Sequence, residues 1–362
     1  MKILKCPTGH NRYINVYYGN NILHQLEGLA RELDADKFFI ITDSGVPQTI
    51  KDEVKDILSC VVDTHLLEVP YGEESKCFGI IEKLGGQILD MMATKSSVVV
   101  CLGGGVVGNM GGLLAALLFR GIRFFHIPTT MVAQIDSSIG QKQAINYKMG
   151  KNMFGQYYPP QFVFVDFNFL RSLSMRHIRA GMAESVKHGL CQSEAFFEQI
   201  NAVAPNFSDK DIDEISLTTI ELKLELMEID PYEGKLDPQL ELGHTIGHAV
   251  EIIKYGSLLH GEAIAIGMTA ETKISVALGY MKPELPKRIE ALFEKIGLPT
   301  KIPAEITIDQ IFETLKYDNK RRATPTKFFL LEDFTRFHTD AEGKIGDLVA
   351  PQTVREVLES CY

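Results

Sequence analysis

Residues 96–121 read SSVVVCLGGGVVGNMGGLLAALLFRG, and this segment carries the strongest indication of the fold class. It passes from a β-branched run into Gly103, Gly104, Gly105 and Gly108, and then into residues that favour helix. This order predicts a strand, a glycine turn and a helix. Such a turn lets the backbone approach a pyrophosphate, and the helix start offers free N–H groups to it. The turn is a candidate nucleotide site, although a tight turn or helix packing would also account for the glycines.

Strand-like and helix-like runs alternate on both sides of this stretch. The strand-like runs occupy residues 37–45, 65–74, 124–130 and 162–166, and the helix-like runs between them include residues 54–62 and 78–93. This alternation predicts βαβ units and a parallel sheet. From about Met175 to Ala277, and again from Leu285 to Ile296, helix-compatible segments dominate. We therefore predict an α/β protein with a Rossmann-like parallel-sheet domain, residues 1–168, and a mainly α-helical domain, residues 169–362.

The composition narrows the class of function. The 362 residues suffice for two domains, and the net charge of −10 without a basic run argues against a nucleic-acid partner. The six cysteines form no CxxC pair, which favours reduced thiols. No signal-like N-terminal stretch and no run of about 18 apolar residues stands out, so we expect no membrane partner and a cytoplasmic location.

A second group of candidate functional residues lies in the C-terminal half. His244 and His248, in ELGHTIGHAVE, are four residues apart and would share one face of a helix. His260 follows in LHGEAIAIGM, and Glu184 lies upstream in AGMAESVKHG. Three such ligands suit zinc and would leave a coordination position open for substrate. A histidine pair at this spacing also occurs as a packing or surface feature, so the metal hypothesis depends on all the segments together.

Taken together, these motifs resemble the sugar phosphate cyclases, whose central member is 3-dehydroquinate synthase. The resemblance covers nearly the whole chain and rests on GGGVVGN (103–109), FRG (119–121), PTT (128–130), DSS (136–138), KQAINYKMGKNMFGQYYPP (142–160), AGMAESVKHG (180–189), ELGHTIGHAVE (241–251), LHGEAIAIGM (259–268) and YDNK (317–320). It implies NAD in the Rossmann-like half, zinc or cobalt in the helical half, a small-molecule sugar phosphate as substrate and a homodimer.

The resemblance also implies roles for single residues. The metal ligands would be Glu184, His244 and His260. The residues at NAD-contacting positions are Asp43, Glu73, Lys76, Gly104, Gly105, Val106, Asn109, Thr129, Thr130, Asp136, Ser137 and Lys151. The residues at substrate-contacting positions are Lys142, Asn152, Lys187, Lys223, His248, Lys320 and, from a neighbouring subunit, Arg120. Lys142, Asp136 and His248 would be catalytic. Without the motifs, each lysine could equally be a solvated surface charge.

Three positions depart from the pattern of 3-dehydroquinate synthases. Asn109 replaces an aspartate, Glu241 an asparagine, and Asp237 the arginine that pairs with the substrate carboxylate. Two carboxylates there would repel a third in a site of low dielectric constant. We therefore expect a neutral-bodied substrate such as D-glucose 6-phosphate, as in the 2-deoxy-scyllo-inosose synthases, and a catalytic role for Glu241.

Other interpretations stay open. DSSIGQ and AESVKHG lie nearer the pattern of 3-dehydroquinate synthase, which is the alternative activity. More distant alternatives are a polyol dehydrogenase of the same superfold, which would consume NAD stoichiometrically, and an inactive binding homologue.

Overall fold

The computed structural model describes residues 1–9, 12–148, 150–232, 240–254, 256–317 and 327–362. The chain groups into two compact units. The first comprises residues 1–147, 152–174 and 224–232, and the second residues 148–151, 175–223 and 233–362. The domain boundary placed near Asn168 falls shortly before Met175, where a long helix of the second unit begins, and it stays a prediction.

A mostly parallel sheet forms the centre of the first unit. The strands of this unit, in chain order, are β1 (Lys2–Gly9), β2 (Arg12–Gly19), β3 (Lys37–Asp43), β4 (Asp63–Val69), β5 (Val98–Gly103), β6 (Arg123–Pro128), β7 (Lys142–Tyr147), β8 (Gly150–Tyr157) and β9 (Phe162–Asp166). Seven of them form one sheet in the order β1-β2-β9-β6-β5-β3-β4, and β7 pairs with β8 separately. Only the β1–β2 pair of the seven-stranded sheet is antiparallel. The predicted Rossmann-like parallel sheet is confirmed.

Both faces of this sheet are covered, which explains the continuous apolar runs of its central strands. The helices of the first unit are α1 (Leu26–Glu32), α2 (Gln48–Ser59), α3 (Phe78–Asp90) and α4 (Gly105–Leu117). On β3, Phe38 and Ile40 pack into a cluster with residues of α1 and α2. Phe39 and Ile41, on the opposite face, pack into a second cluster with residues of α3 and α4.

The second unit is mainly helical, as predicted. Its elements are α5 (Met175–Gln192), α6 (Glu194–Val203), α7 (Asp209–Ile229, whose end belongs to the first unit), α8 (His244–Ile253), α9 (His260–Ala277), α10 (Glu284–Ile296), α11 (Ile308–Leu315), the short antiparallel pair β10 (Leu331–Asp333) and β11 (Arg336–Phe337), and α12 (Pro351–Glu359). No helix in the described ranges is long and apolar enough to cross a membrane.

Glycine lets two helices of the second unit touch through their backbones. A Cβ placed at Gly261, in α9, would lie 1.8 Å from the carbonyl oxygen of Ala180, in α5. No side chain fits in that space, so the glycine after His260 allows α9 to lie directly against α5. The two helices carry His260 and Glu184, and their close approach positions both side chains.

Candidate active site

The carboxyl ends of four neighbouring strands carry many of the predicted nucleotide-binding residues. Asp43 ends β3, a short turn that begins at Glu73 follows β4, Gly104 follows β5, and Thr129 follows β6. These strands are adjacent and parallel, so their carboxyl ends share one edge of the sheet. After β3 the chain continues to β4 on one side in the sheet, and after β5 it continues to β6 on the other side. The position between β3 and β5 is therefore a topological switch point. Ligands of open α/β sheets bind at such a point.

The glycine turn brings five predicted cofactor residues together. Gly104 caps α4 in an extended conformation, and Gly105 is the first helical residue, followed by Val106. A Cβ at Gly104 would lie 3.2 Å from Cγ2 of Thr130, and one at Gly105 would lie 2.9 Å from Oγ of Ser137. Thr130 and Ser137 therefore lie against the turn, and no side chain forms a capping hydrogen bond at the start of α4. This arrangement suits a phosphate group.

Two predicted cofactor carboxylates of the first unit lie at the end of a strand and in a π-helical turn. Oδ1 of Asp43 accepts a hydrogen bond of 2.7 Å from the N–H of Gly45, and burial raises the pKa of the Asp43 carboxyl. Asp136 lies in the π-helical turn Ala133–Ser137, a conformation that is frequent at functional sites. Carboxylates in these positions can accept hydrogen bonds from hydroxyl groups.

A hydrogen-bond network built on Lys76 joins three other predicted residues. Nζ of Lys76 donates to Oδ1 of Asn109 at 2.8 Å and to Oδ1 of Asn152 at 2.5 Å. Nδ2 of Asn109 donates to the carbonyl oxygen of Lys142 at 2.8 Å. Asn109 thus uses both its acceptor and its donor, which an aspartate could not do. The network holds the start of β7 against α4.

Asn146 belongs to the same network, although the sequence did not single it out. Its Nδ2 donates to Oε1 of Glu73 at 2.9 Å, and its Oδ1 accepts the N–H of Asn152 at 2.9 Å. Asn146 lies in KQAIN, four residues after Lys142, and residues at this spacing in a strand share one face. The sequence could have indicated Asn146 through this shared face. One set of hydrogen bonds therefore joins predicted nucleotide residues to predicted substrate residues, namely Glu73, Lys76 and Asn109 to Lys142 and Asn152.

In the second unit, α5, α8 and α9 bring the three predicted metal ligands together. Oε1 of Glu184 lies 3.7 Å from Nε2 of His244 and 3.3 Å from Nε2 of His260. One donor atom from each of His244, His248 and His260 also lies within 4.8 Å of the other two. Either the predicted set or a set of three histidines is therefore close enough to hold one divalent cation.

Both predicted histidine ligands are oriented through their Nδ1 atoms. Nδ1 of His244 lies 3.1 Å from the carbonyl oxygen of Leu242, and Nδ1 of His260 lies 3.0 Å from Oε2 of Glu251. Each partner is an acceptor, so each Nδ1 atom carries a proton, and Nε2, the atom that would bind a cation, faces Glu184. Metal-ligating histidines are held in this way.

Glu251 is a functional residue that the sequence reasoning missed. Its other oxygen, Oε1, lies 2.5 Å from Nζ of Lys151, so the buried carboxylate joins this lysine to His260. Glu251 lies three residues after His248 in ELGHTIGHAVE, on the same helical face. Lys151 was predicted as a cofactor contact, and in the structure its ammonium neutralises the carboxylate behind His260.

The electrostatics of this cluster favour a bound cation. Burial alone would raise the pKa of the Glu184 carboxyl, but the ammonium of Lys187, 2.5 Å away, and the imidazoles hold the pKa well below its usual range. Burial, aided by Lys187, lowers the pKa of His244 to about 4. At His260 burial is outweighed by Glu251 and Glu184, which raise the pKa to about 9. Two carboxylates therefore hold positive charge where a divalent cation would bind.

The remaining predicted residues lie on several different elements. Lys187 and Lys223 are buried on α5 and α7. Arg120 is exposed beyond the end of α4, with a φ of 66°. Glu241 is partly buried in the turn before α8, and its carbonyl oxygen accepts the N–H of His244 at 3.0 Å. The predictions for Lys320 and Asp237 lie outside the described residues.

Comparison with known proteins identifies the family. The models of the 3-dehydroquinate synthase N-terminal and C-terminal domains match residues 66–180 and 181–321. A 2-deoxy-scyllo-inosose synthase of Niallia circulans is 35% identical over 86% of this chain and 85% of its own. A 3-dehydroquinate synthase of Pseudoalteromonas atlantica is 34% identical over 99% of this chain and 98% of its own.

A solved structure agrees with these sequence relatives. It is a 2-deoxy-scyllo-inosose synthase complexed with carbaglucose-6-phosphate, NAD+ and Co2+, and it superposes with a TM-score of 0.91 at 31% identity, covering 100% of both chains. The fold and the clustered site define a sugar phosphate cyclase. The chain belongs to the 3-dehydroquinate synthase family.

Substitutions at Glu184 and His248 distinguish the two ligand sets. If Glu184, His244 and His260 hold the cation, Glu184→Gln should weaken Co2+ binding by more than about 100-fold, whereas His248→Ala should weaken it by less than about 10-fold. Isothermal titration calorimetry measures both, with the exposed His24→Ala as control. The reverse order of effects would assign the cation to the three histidines.

Asn109→Asp tests the network around Lys76. The aspartate would lose the donor to the Lys142 carbonyl, and we expect the free energy of unfolding to fall by about 1–2 kcal/mol. Urea denaturation measures the change, with the exposed Asn206→Asp as control. A change below about 0.5 kcal/mol, no more than a surface substitution causes, would show that the network adds nothing to stability.

Proposed function

We propose that this chain is a 2-deoxy-scyllo-inosose synthase, which converts D-glucose 6-phosphate into 2-deoxy-scyllo-inosose and inorganic phosphate, with NAD and a divalent cation. The carboxylate of Glu241 carries this choice of substrate. Glu241 lies in the turn before α8, where its carbonyl oxygen accepts the N–H of His244 at 3.0 Å, and the charge of its carboxylate opposes the lowering of the His244 pKa by burial. A substrate carboxylate beside it would be repelled, which favours a sugar phosphate without one.

The first unit fits NAD. A pyrophosphate would approach the start of α4 at Gly104 and Gly105, where a Cβ would crowd Thr130 and Ser137. Asp43, at the end of the neighbouring strand β3, would accept hydrogen bonds from a ribose. The complex of the structural relative with NAD+ supports this assignment.

The second unit fits the divalent cation, which Glu184, His244 and His260 would hold. When bound, NAD supplies a hydride acceptor that is regenerated within each turnover, and the cation polarises substrate oxygens. The Co2+ of the structural relative supports a cation in this family, and zinc is equally compatible with two imidazoles and a carboxylate.

The chain's own side chains would orient the substrate and stabilise the leaving phosphate. Lys142 and Asn152, joined through Lys76 and Asn109, offer an ammonium and an amide to the phosphate oxygens. The buried Lys187 and Lys223 and the partly buried His248 would contact the sugar, and Asp136 would lie between cofactor and substrate. Glu241 would hold a proton for the later, ring-closing part of the reaction.

We also propose a homodimer in the cytoplasm. Arg120 is exposed, and its side chain would complete the phosphate site of the second subunit. All six cysteines are free thiols, which suits a reducing compartment.

The second candidate is 3-dehydroquinate synthase. Relatives with that name match this chain at similar identity, and one of them matches over 99% of this chain and 98% of its own. The negative charge of Glu241, which would repel a substrate carboxylate, favours the first candidate.

A substrate panel tests the proposal. Metal-loaded protein is incubated with catalytic NAD and either D-glucose 6-phosphate or the heptulosonate phosphate of the shikimate route, and phosphate, NADH and product mass are followed. We expect phosphate and 2-deoxy-scyllo-inosose from glucose 6-phosphate without net NADH. Phosphate release from the heptulosonate alone would establish the alternative, and accumulation of NADH without phosphate would indicate a dehydrogenase.

Glu241→Gln tests the role of the Glu241 carboxylate, which differs from the asparagine of 3-dehydroquinate synthases. The variant keeps the size of the side chain but cannot hold a proton, so kcat should fall by about 100-fold or more while the dissociation constant of NAD+ stays unchanged. The exposed Glu359→Gln is the matched control. Full activity of Glu241→Gln would reject the assigned role.

A further inference from the structure

Glu271, in the middle of α9, is a fully buried carboxylate that bonds to another helix. Its Oε2 accepts the N–H of Gly243 at 2.7 Å, and its Oε1 accepts the N–H groups of Thr245 and Ile246 at 3.1 and 3.2 Å. These three groups lie at the start of α8. Glu271 therefore caps a helix to which it does not belong.

The capped groups lie on both sides of His244. Gly243 precedes this histidine, and Thr245 and Ile246 follow it. The first N–H groups of a helix have no carbonyl partner within it, and a side chain near the N-terminus usually accepts them. Here the N-cap is Gly243, with a φ of 79° and no side chain, so the acceptor comes from α9. The negative charge also suits the positive end of the helix dipole.

The backbones of α8 and α9 are in direct contact beside this cap. A Cβ at Gly267, one turn before Glu271, would lie 1.9 Å from the carbonyl oxygen of Gly243. A Cβ at Gly247 would lie 2.9 Å from the carbonyl oxygen of Ala263. The glycines allow the short distance between the helices. The three hydrogen bonds of Glu271 fix the translation and rotation of α8 relative to α9.

We propose that Glu271 is a positioning residue for the cation site. Its own helix begins with His260, and it holds the first turn of α8 on both sides of His244, so it fixes the two imidazoles relative to each other. The carbonyl of Leu242 that orients Nδ1 of His244 lies in the same held turn. Glu271 does not itself bind the cation. The inference rests on the cation site of the proposed function.

Glu271→Gln provides the test. A glutamine keeps the shape but presents an amide N–H group to one side of the cap, where only acceptors fit, so the start of α8 must shift. We expect the dissociation constant of Co2+ to rise by about tenfold or more, as for other residues that orient metal ligands, and the visible absorption spectrum of bound Co2+ to change. Neither readout requires turnover.

Asp166→Asn is the matched control. Asp166 is also a buried carboxylate that accepts backbone N–H groups, those of Asn21, Ile22 and Leu23, but it belongs to the first unit. This variant should lower the free energy of unfolding while the affinity and spectrum of Co2+ stay as in the wild type. A loss of stability alone therefore does not reproduce the expected result.

Glu271→Asp is a second variant, which keeps the test possible if Glu271→Gln does not fold. It keeps the charge but shortens the reach, and its Co2+ affinity should lie between those of the wild type and Glu271→Gln. If a folded variant of Glu271 binds Co2+ with wild-type affinity and spectrum, the residue has only a structural role and the inference is wrong. If the wild type binds no Co2+, the proposed cation site fails, and the inference fails with it.

Discussion

The site in the second unit depends on compensating the charge of one carboxylate, that of Glu184, which is buried away from water. Burying an ion without partners costs several kcal/mol, so the surrounding groups must compensate its charge. Lys187 lies 2.5 Å from one oxygen, and the imidazoles of His244 and His260 face the other. These partners come from three helices that approach closely because glycines line their contacts. The close packing of these helices therefore brings the compensating groups to the Glu184 carboxylate.

Most of the fold could be predicted from local patterns. The strands with both faces buried, such as β3, β5 and β9, appear in the sequence as short apolar runs between helical periods. The β1–β2 hairpin and the β7–β8 pair were not predicted. Five of the eight residues of β8 are exposed, and β1 begins with an exposed polar residue, so neither presents a continuous apolar run.

The candidate site was less predictable, because its residues meet only in three dimensions. The spacing of His244 and His248 indicated a shared helical face, but the convergence of Glu184 with His260 came from the family resemblance. Glu251 and Glu271 were missed for a physical reason. Their partners are an imidazole nitrogen and backbone N–H groups contributed by other segments, and sequence spacing does not reveal such contacts.

The proposed function requires Glu184, His244 and His260 to hold one cation. Diffraction from crystals grown with Co2+, recorded on both sides of the cobalt absorption edge, measures this directly. We expect a single anomalous peak bonded to Oε1 of Glu184 and to Nε2 of both histidines. A peak bonded to other side chains, or no peak among these three when Co2+ is in excess, would contradict it.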